Sequence, residues 1–544
     1  MFELFGDRWG LEHDIGRERS EGAGRLAPIQ RLIGSKKKNR KAGGGRQTAV
    51  RVPPVERGSA SPRGDEGAPP PWFSPSNSVN RVREALDTVG RDPWLVGFEA
   101  VGIQDFIAAN GRPLAMEGAS RLVERFDREI RDASGAGSGG GTVFAGGGRG
   151  MKVVAQDRVE ATLAELRDRY RSTTCGGQLA TAAVPYERDQ AGASLKWLRM
   201  KLGGAKDSAL APEVSLPKKA SEKCTDCRSS KIETHYEGAE GPVRCCKRCA
   251  AVVEAGRRSG KRDRLTLEDI ETEGMVAVVS ADGNNLGAMF AGLESLEDTA
   301  ICSDLVFGIF KEAHGQARPA DGKCVDPIVG GDDIRVFLPP QQLLSYVTTL
   351  ARVVEQLSRN LAHRDLPPAI ATALTDLGVG VGAVIAPYHF PAARLIAMAH
   401  DFEDTAKGVC VGTELRSAFD FVWLVSGQEL SQGIATLGGA QERPPPLALG
   451  NGALEEYIGR ASALREVPSS QRAMLVRRRG GTEDERELMN LFRYQVARSR
   501  KWQAWFTACG VDWRDPVALA SNLPDARMLS VAALVGIERS GMKQ

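Results

Sequence analysis

Gly330-Gly331-Asp332-Asp333 sets two adjacent carboxylates between short apolar runs at 325–329 and 334–338. That pattern predicts strand, tight turn, strand. The glycines permit a sharp turn and close approach of a polyphosphate to the backbone. Neighbouring carboxylates repel unless a cation lies between them, and a divalent metal is the usual one. Upstream, the apolar run 275–280 ends in Ala281-Asp282-Gly283-Asn284-Asn285-Leu286-Gly287, a carboxylate at the end of a buried strand before a turn into a helix. If the two strands are neighbours, Asp282, Asp332 and Asp333 gather at one edge of a sheet. Mg²⁺ prefers carboxylate oxygens plus substrate phosphates to an all-protein cage. Two such ions activate an attacking hydroxyl and stabilise a leaving pyrophosphate. The chemistry expected is nucleotidyl transfer. An ordinary hairpin loop is the plain alternative for so short a motif, and Asp282 tips the balance toward a metal site.

A second constellation is Cys224, Cys227, Cys246 and Cys249, two Cys-x-x-Cys pairs at the spacing of a four-thiolate zinc ribbon. Cys245 and His235 are lesser candidate ligands. Four thiolates leave no open coordination position, so a structural Zn²⁺ is expected rather than a catalytic one.

The elements that must hold these residues follow the order βαββαβ twice. Strands are predicted at 95–100, 142–145, 151–154 and 179–184, with a helix carrying Leu122, Val123, Phe126 and Ile130 and another over 158–170. The order returns as a strand at 275–280, helical material to 317, the hairpin 325–338, a helix over 341–362, a strand at 379–385 and a helix over 391–407. The first copy's hairpin tip, Gly146-Gly147-Gly148, has no carboxylate. The fold class expected is α+β: two ferredoxin-like Palm domains, an intervening zinc ribbon and a helical C-terminal domain. The divisions are a disordered basic and Pro/Gly-rich tail over 1–90, a degenerate first Palm over 94–210, the ribbon over 215–255, a second Palm over 270–410 and helices over 411–544.

The 544 residues carry a formal net charge of +3, with about +5 in residues 1–90 and about −2 in the rest, so no global field favours nucleic acid. Lys36-Lys37-Lys38-Asn39-Arg40-Lys41 could touch RNA or DNA or be a solvated tail, and no function is assigned to it. No apolar run nears the roughly 18 residues of a membrane span. The N-terminus lacks a secretory pattern. Five of the ten cysteines crowd into 224–249, which fits a reducing cytoplasm with one metal cluster.

With these residues in hand, the sequence resembles the large Palm-polymerase subunit of type III CRISPR effector complexes, the Cas-ten or Cmr/Csm large-subunit family. The resemblance covers about 95–410: Gly102-Ile103-Gln104-Asp105-Phe106-Ile107, Gly118-Ala119-Ser120, the glycine hairpin, the four cysteines, the Asp282 segment, Gly-Gly-Asp-Asp, and Ala406-Lys407. It implies an enzyme that binds two ATP molecules between two Palm domains and joins them 3′–5′ into cyclic oligoadenylates in antiviral defence. Asp282, Asp332 and Asp333 would hold Mg²⁺ or Mn²⁺. Gly283, Asn284, Asn285, Gly330 and Gly331 would line the nucleotide, Lys407 would reach the triphosphate, and the Gly118-Ala119-Ser120 turn would put Ser120 beside the second nucleotide. The partners implied are nucleoside triphosphate, guide or target RNA and other effector subunits. Asn284 stands where relatives often carry a second aspartate, which lowers the expected affinity for the second ion. The tail has one His-Asp pair, His13-Asp14, so no HD nuclease is expected, and a standalone synthase is compatible with that. The competing readings are a catalytically weak RNA-binding scaffold and a diguanylate-cyclase-like enzyme. The latter normally has Glu-Phe after the glycines, and Asp333-Ile334 differs.

Overall fold

In the first half, β1 (Pro93–Val101), β2 (Gly140–Gly146), β3 (Arg149–Ala155) and β4 (Gln178–Pro185) form an antiparallel sheet in the order β2-β3-β1-β4. These positions come from a computed structural model that describes residues 70, 72–133, 140–209, 220–238, 241–258, 265–424, 446–450, 452–468, 471, 485–521, 528 and 531–532. Along β1 the side chains alternate between two cores. Val96, Phe98 and Ala100 meet Phe126 and Ile130 of α3 (Pro113–Asp132) and Leu166 and Tyr170 of α4 (Val159–Thr173). Leu95 faces the opposite side, toward Leu195 and Leu198 of α5 (Ala191–Ser208). A period of two along a strand separates the faces in this way.

The expected 1–90 tail is corrected at its end. Pro75–Val89 is a helix, α1, with Pro75 in its first turn and Val82, Ala85 and Leu86 buried on the α5 face of the first sheet. Pro at the first helical position is favourable, and the run of Ser and Pro before it hid the apolar face that follows. The basic run 36–41, the His13-Asp14 pair and residues 135–139, 477–479 and 482–484 lie outside the described residues.

Between the halves, β5 (Thr234–Gly238) and β6 (Gly241–Cys245) make a hairpin that leads into α6 (Lys247–Arg257). The second half then runs α7 (Leu267–Ile270), β7 (Met275–Asn284), α8 (Leu286–Ala291), α9 (Leu296–Ala317), β8 (Val325–Gly330), β9 (Asp333–Leu338), α10 (Leu343–Ala362), α11 (Pro368–Thr375), β10 (Gly378–Pro387) and α12 (Ala392–Cys410). Its sheet order is β12-β11-β10-β7-β9-β8, so its first four strands repeat the arrangement of the first sheet. Here β11 (Ala418–Trp423), parallel to β10, and β12 (Leu447–Ala448) extend the sheet. The chain after 411 is therefore not purely helical. The short alternating run at 418–423 is a strand because the open edge of β10 offers it hydrogen bonds.

β7 is buried on both faces. Ala277, Val279 and Ala281 join α9, α10 and the C-terminal helices in one core. Val276 and Val278 join α12, α6 and the first half's α2 (Ile103–Ala108) and α3 in another. No helix among the described residues is long and apolar enough to cross a membrane.

Candidate active site

The face of the second sheet that meets α12 turns polar at one end. Along β7 it reads Val276, Val278, Ser280, Asp282, and along β9 it reads Phe337, Arg335, Asp333, by strand alternation. Register sets Ser280 opposite Arg335 and Ala281 opposite Ile334, so Asp282 reaches the hairpin end. Gly331 takes φ +65°, a left-handed turn that suits glycine, and Asp332 follows at the tip. On the other flank, Asp282 is paired with Gly380 of β10. A Cβ at Gly380 would lie 2.5 Å from Cγ of Lys407, and one at Gly382 would lie 2.0 Å from the carbonyl of Ala399. These two glycines let α12 lie close on β10, which carries Glu403 and Lys407 to the carboxylates.

Of the three aspartates, Asp282 and Asp332 lie close enough for their carboxyls to interact. Burial and the Asp282 charge push the Asp332 carboxyl well above its ordinary range, while Arg149 from the first half's hairpin pulls the other way. Asp333 is held by two neighbours: its Oδ2 accepts from Gln104 Nε2, and its Oδ1 lies 3.3 Å from Arg335 Nη2. Burial raises the Asp333 carboxyl, Arg335 lowers it, and Asp282 and Glu403 raise it. Among the described residues, the sets of three or more side chains whose ligand atoms all approach within 4.8 Å are the four cysteines and His400-Glu403-Asp404. The three aspartates share a site without closing into one such set.

Lys407, expected to reach a triphosphate, donates instead to Asp282 and lies 3.2 Å from Glu403. Burial lowers the Lys407 ammonium's affinity for its proton, but Asp282 and Glu403 outweigh that and hold it charged. Glu403 is fully buried, accepts from Ser280 Oγ, and has His400 Nδ1 at 3.4 Å. Burial opposes its charge, and His400, Lys407 and Arg335 together hold it ionised.

Four participants were missed in the sequence: Gln104, Ser280, Arg335 and Glu403. Their signal was spacing. Ser280 and Arg335 stand two residues from the aspartates on the same strand faces, and Glu403 stands one helical turn before Lys407. Asn284 is buried and donates to the Arg416 carbonyl, and Asn285, at φ +65°, opens α8. Gly283 packs tightly on Leu286 and Phe310. Gly330 and Gly331 have open space where a Cβ would be, as an approaching phosphate requires. The Gly118-Ala119-Ser120 segment is no turn but part of α3. Gly118 is there because α6 passes too close for a side chain, with the Val252 carbonyl 1.7 Å from an added Cβ. Ser120 is half-buried on that helix.

Two orphaned acceptors bear on a cation. Asp333 Oδ1 and Asn284 Oδ1 are buried without hydrogen-bond partners. Together with the carboxyls of Asp282 and Asp332 they form an oxygen-rich donor set, the kind a divalent metal takes.

The four cysteines of the two Cys-x-x-Cys pairs do converge. Cys227 Sγ and Cys246 Sγ lie 3.9 Å apart, close to the edge of about 3.8 Å expected for a tetrahedron of sulfurs around zinc. Cys246 also caps α6, accepting from the Cys249 amide. Cys245 is buried but outside the cluster, and His235 is exposed on β5.

Residues 275–410 match the family described as Cas10/Cmr2, second palm domain. This segment is Cas10-like. Solved structures agree in fold. A crystal structure of Csm1 in T. onnurineus superposes with a TM-score of 0.53 at 15% identity, covering 84% of this chain and 71% of that one. A Csm1–Csm4 cassette in complex with cA4 gives 0.51 at 16% identity, covering 84% and 72%. A Csm1–Csm4 subcomplex in the type III-A CRISPR-Csm interference complex gives 0.50 at 14%, covering 85% and 72%. At such identities the likeness is one of fold. No curated protein matches the chain.

Proposed function

We propose that this chain is a nucleotidyltransferase that joins ATP into oligoadenylates and closes them into a cyclic product, within a type III CRISPR effector complex. The observation that carries the reading is the strand register that brings Asp282 of β7 to the Gly-Gly-Asp-Asp hairpin end, between β9 and β10. Asp282, Asp332 and Asp333 would hold Mg²⁺ or Mn²⁺, which when bound polarises phosphate oxygens and makes a hydroxyl nucleophilic. The chain's own groups do the rest. The bare backbone at Gly330 and Gly331 admits the phosphates. Lys407 neutralises Asp282 at rest and is within reach to trade that carboxylate for a phosphate. Asn284, Asn285 and Gly283 shape the start of α8 beside the carboxylates.

In this reading the two four-strand sets of like order are ferredoxin-like Palm domains, spanning 94–210 and 270–410, and the cysteine cluster at 215–255 is a structural Zn²⁺ ribbon clamping α6 to α3. The cA4-bound cassette and the interference complex support adenylate chemistry and a Csm4-like partner for this chain. A second reading, a nucleotide- or RNA-binding scaffold without turnover, is favoured by Asn284, which contributes no charge where relatives often have a carboxylate.

The test is incubation of the purified protein with each labelled nucleoside triphosphate and Mg²⁺, with and without RNA, and with EDTA as control. Oligoadenylate formed from ATP and abolished by EDTA is expected. Turnover of GTP alone would favour the diguanylate chemistry, and unchanged nucleotide in every tube would leave the scaffold.

A further inference from the structure

We propose that Gln104 and Arg335 are positioning residues that aim the Asp333 carboxylate into the metal site, so that the first half of the chain sets the metal affinity of the second. The inference rests on the reading of Asp333 as a metal ligand. Gln104 is on α2, whose Phe106 and Ile107 are buried in the same core as Val278 and Phe337. The helix that presents its side chain is therefore anchored to the second sheet. The carboxamide uses both of its ends: Nε2 donates to Asp333 Oδ2, and Oε1 accepts from Arg335 Nη1. Neither a carboxylate nor an ammonium offers a donor and an acceptor on one planar group.

Arg335 is only 4% exposed, and a buried guanidinium is costly unless every face is used. Here Nε donates to Ser280 Oγ at 3.1 Å, Ser280 in turn donates to Glu403, Nη1 is spent on Gln104, and Nη2 lies 3.3 Å from Asp333 Oδ1. No hydrogen bond joins Arg335 to Asp282 or Asp332. The assembly hydrogen-bonds one oxygen of Asp333 and touches the other, Oδ1, only through the 3.3 Å ion pair with Nη2, which leaves that oxygen a lone pair to offer. That is what a residue behind a metal ligand does: it fixes the carboxylate's rotation and keeps one oxygen available.

The experiment is Mn²⁺ binding to the full chain, followed by electron paramagnetic resonance. It compares wild type, Gln104→Met, Arg335→Met, Asp333→Asn and the Gln104→Met/Asp333→Asn pair, each with its melting temperature. Asp332→Asn reports any Mn²⁺ held elsewhere. Gln104→Met is expected to weaken Mn²⁺ roughly ten- to a hundred-fold, with a fall in melting temperature from the unpaired Arg335 Nη1 that is the same in both backgrounds. Its effect on Mn²⁺ should vanish in the Asp333→Asn background, since both changes act through one carboxylate. A merely structural role would cost the same Mn²⁺ affinity in both backgrounds, and that result overturns the proposal. So does wild-type affinity in Gln104→Met. If Arg335→Met does not fold, the Gln104 cycle alone decides. A wild type that binds no Mn²⁺ overturns the reading of the aspartates and this inference together; a wild type that binds it, with Gln104→Met unchanged, overturns this inference only.

Discussion

Asp332 is held against Asp282 at a half-buried turn, an arrangement that costs stability whenever both are charged and no cation is bound. Asp332→Asn removes one charge. It should abolish product while raising the melting temperature in EDTA, and a lower melting temperature there would mark the side chain as structural. Asp127 offers a cleaner reading of pH. Its Oδ2 accepts from the Gly148 amide at 3.0 Å, which ties the first half's glycine hairpin to α3. Burial pushes its carboxyl up to about 7, against the opposing pull of the Gly148 amide and Arg131. A raised folded value means that its contribution is fully present below the ordinary 3.8 and is lost as pH rises through about 7. Asp127→Asn should flatten the fall in melting temperature over that window. An unchanged pH slope would show that the group titrates normally.

At the scale of elements, contacts too close for side chains decide how helices meet sheets. Gly382 lets α12 rest on β10, and a Cβ there would lie 2.2 Å from the Glu403 amide. Gly382→Ala should cost about 1–3 kcal/mol in urea unfolding and also lower product formation, because it lifts Glu403 and Lys407 from the carboxylates. Full activity in a destabilised variant would separate α12 from the chemistry. The cysteine cluster sits at the start of α6, and α6 packs along α3 through Gly118 and Gly256. Cys224→Ser should lose bound zinc by elemental analysis and lower the melting temperature together. A variant that keeps both refutes the clamp.

Across the whole molecule, one apolar core carries residues of α2, α3, α6, α12 and the second sheet, and another joins Leu296 and Ala300 of α9 to the first sheet. Arg81 of α1 pairs with Asp304 of α9 at 2.8 Å. The first sheet keeps one core of its own against α3 and α4, but the two shared cores couple the halves, so thermal unfolding followed at Trp94 in β1 and at Trp423 in β11 should coincide in one transition. Two separated midpoints would show independent domains.

Much of this was open to a reader of the residues alone. The strands of both halves, the glycine turn before Asp332, and the pairing of the cysteines follow from local periodicity and spacing, which short-range sterics and ligand geometry control. The helix at 75–89 and the strand at 418–423 did not, because their apolar faces are short and gain stability only from partners far along the chain. Ser120 went astray for a related reason: Gly118 serves a crossing of α3 and α6 that no local pattern reveals. The site divides along the same line. Carboxylates on a turn are legible, since charge on a glycine hairpin has few uses. That Lys407 rests on Asp282, and that Gln104 reaches Asp333 from the other half, depends on how two sheets stack, and only long-range packing sets that.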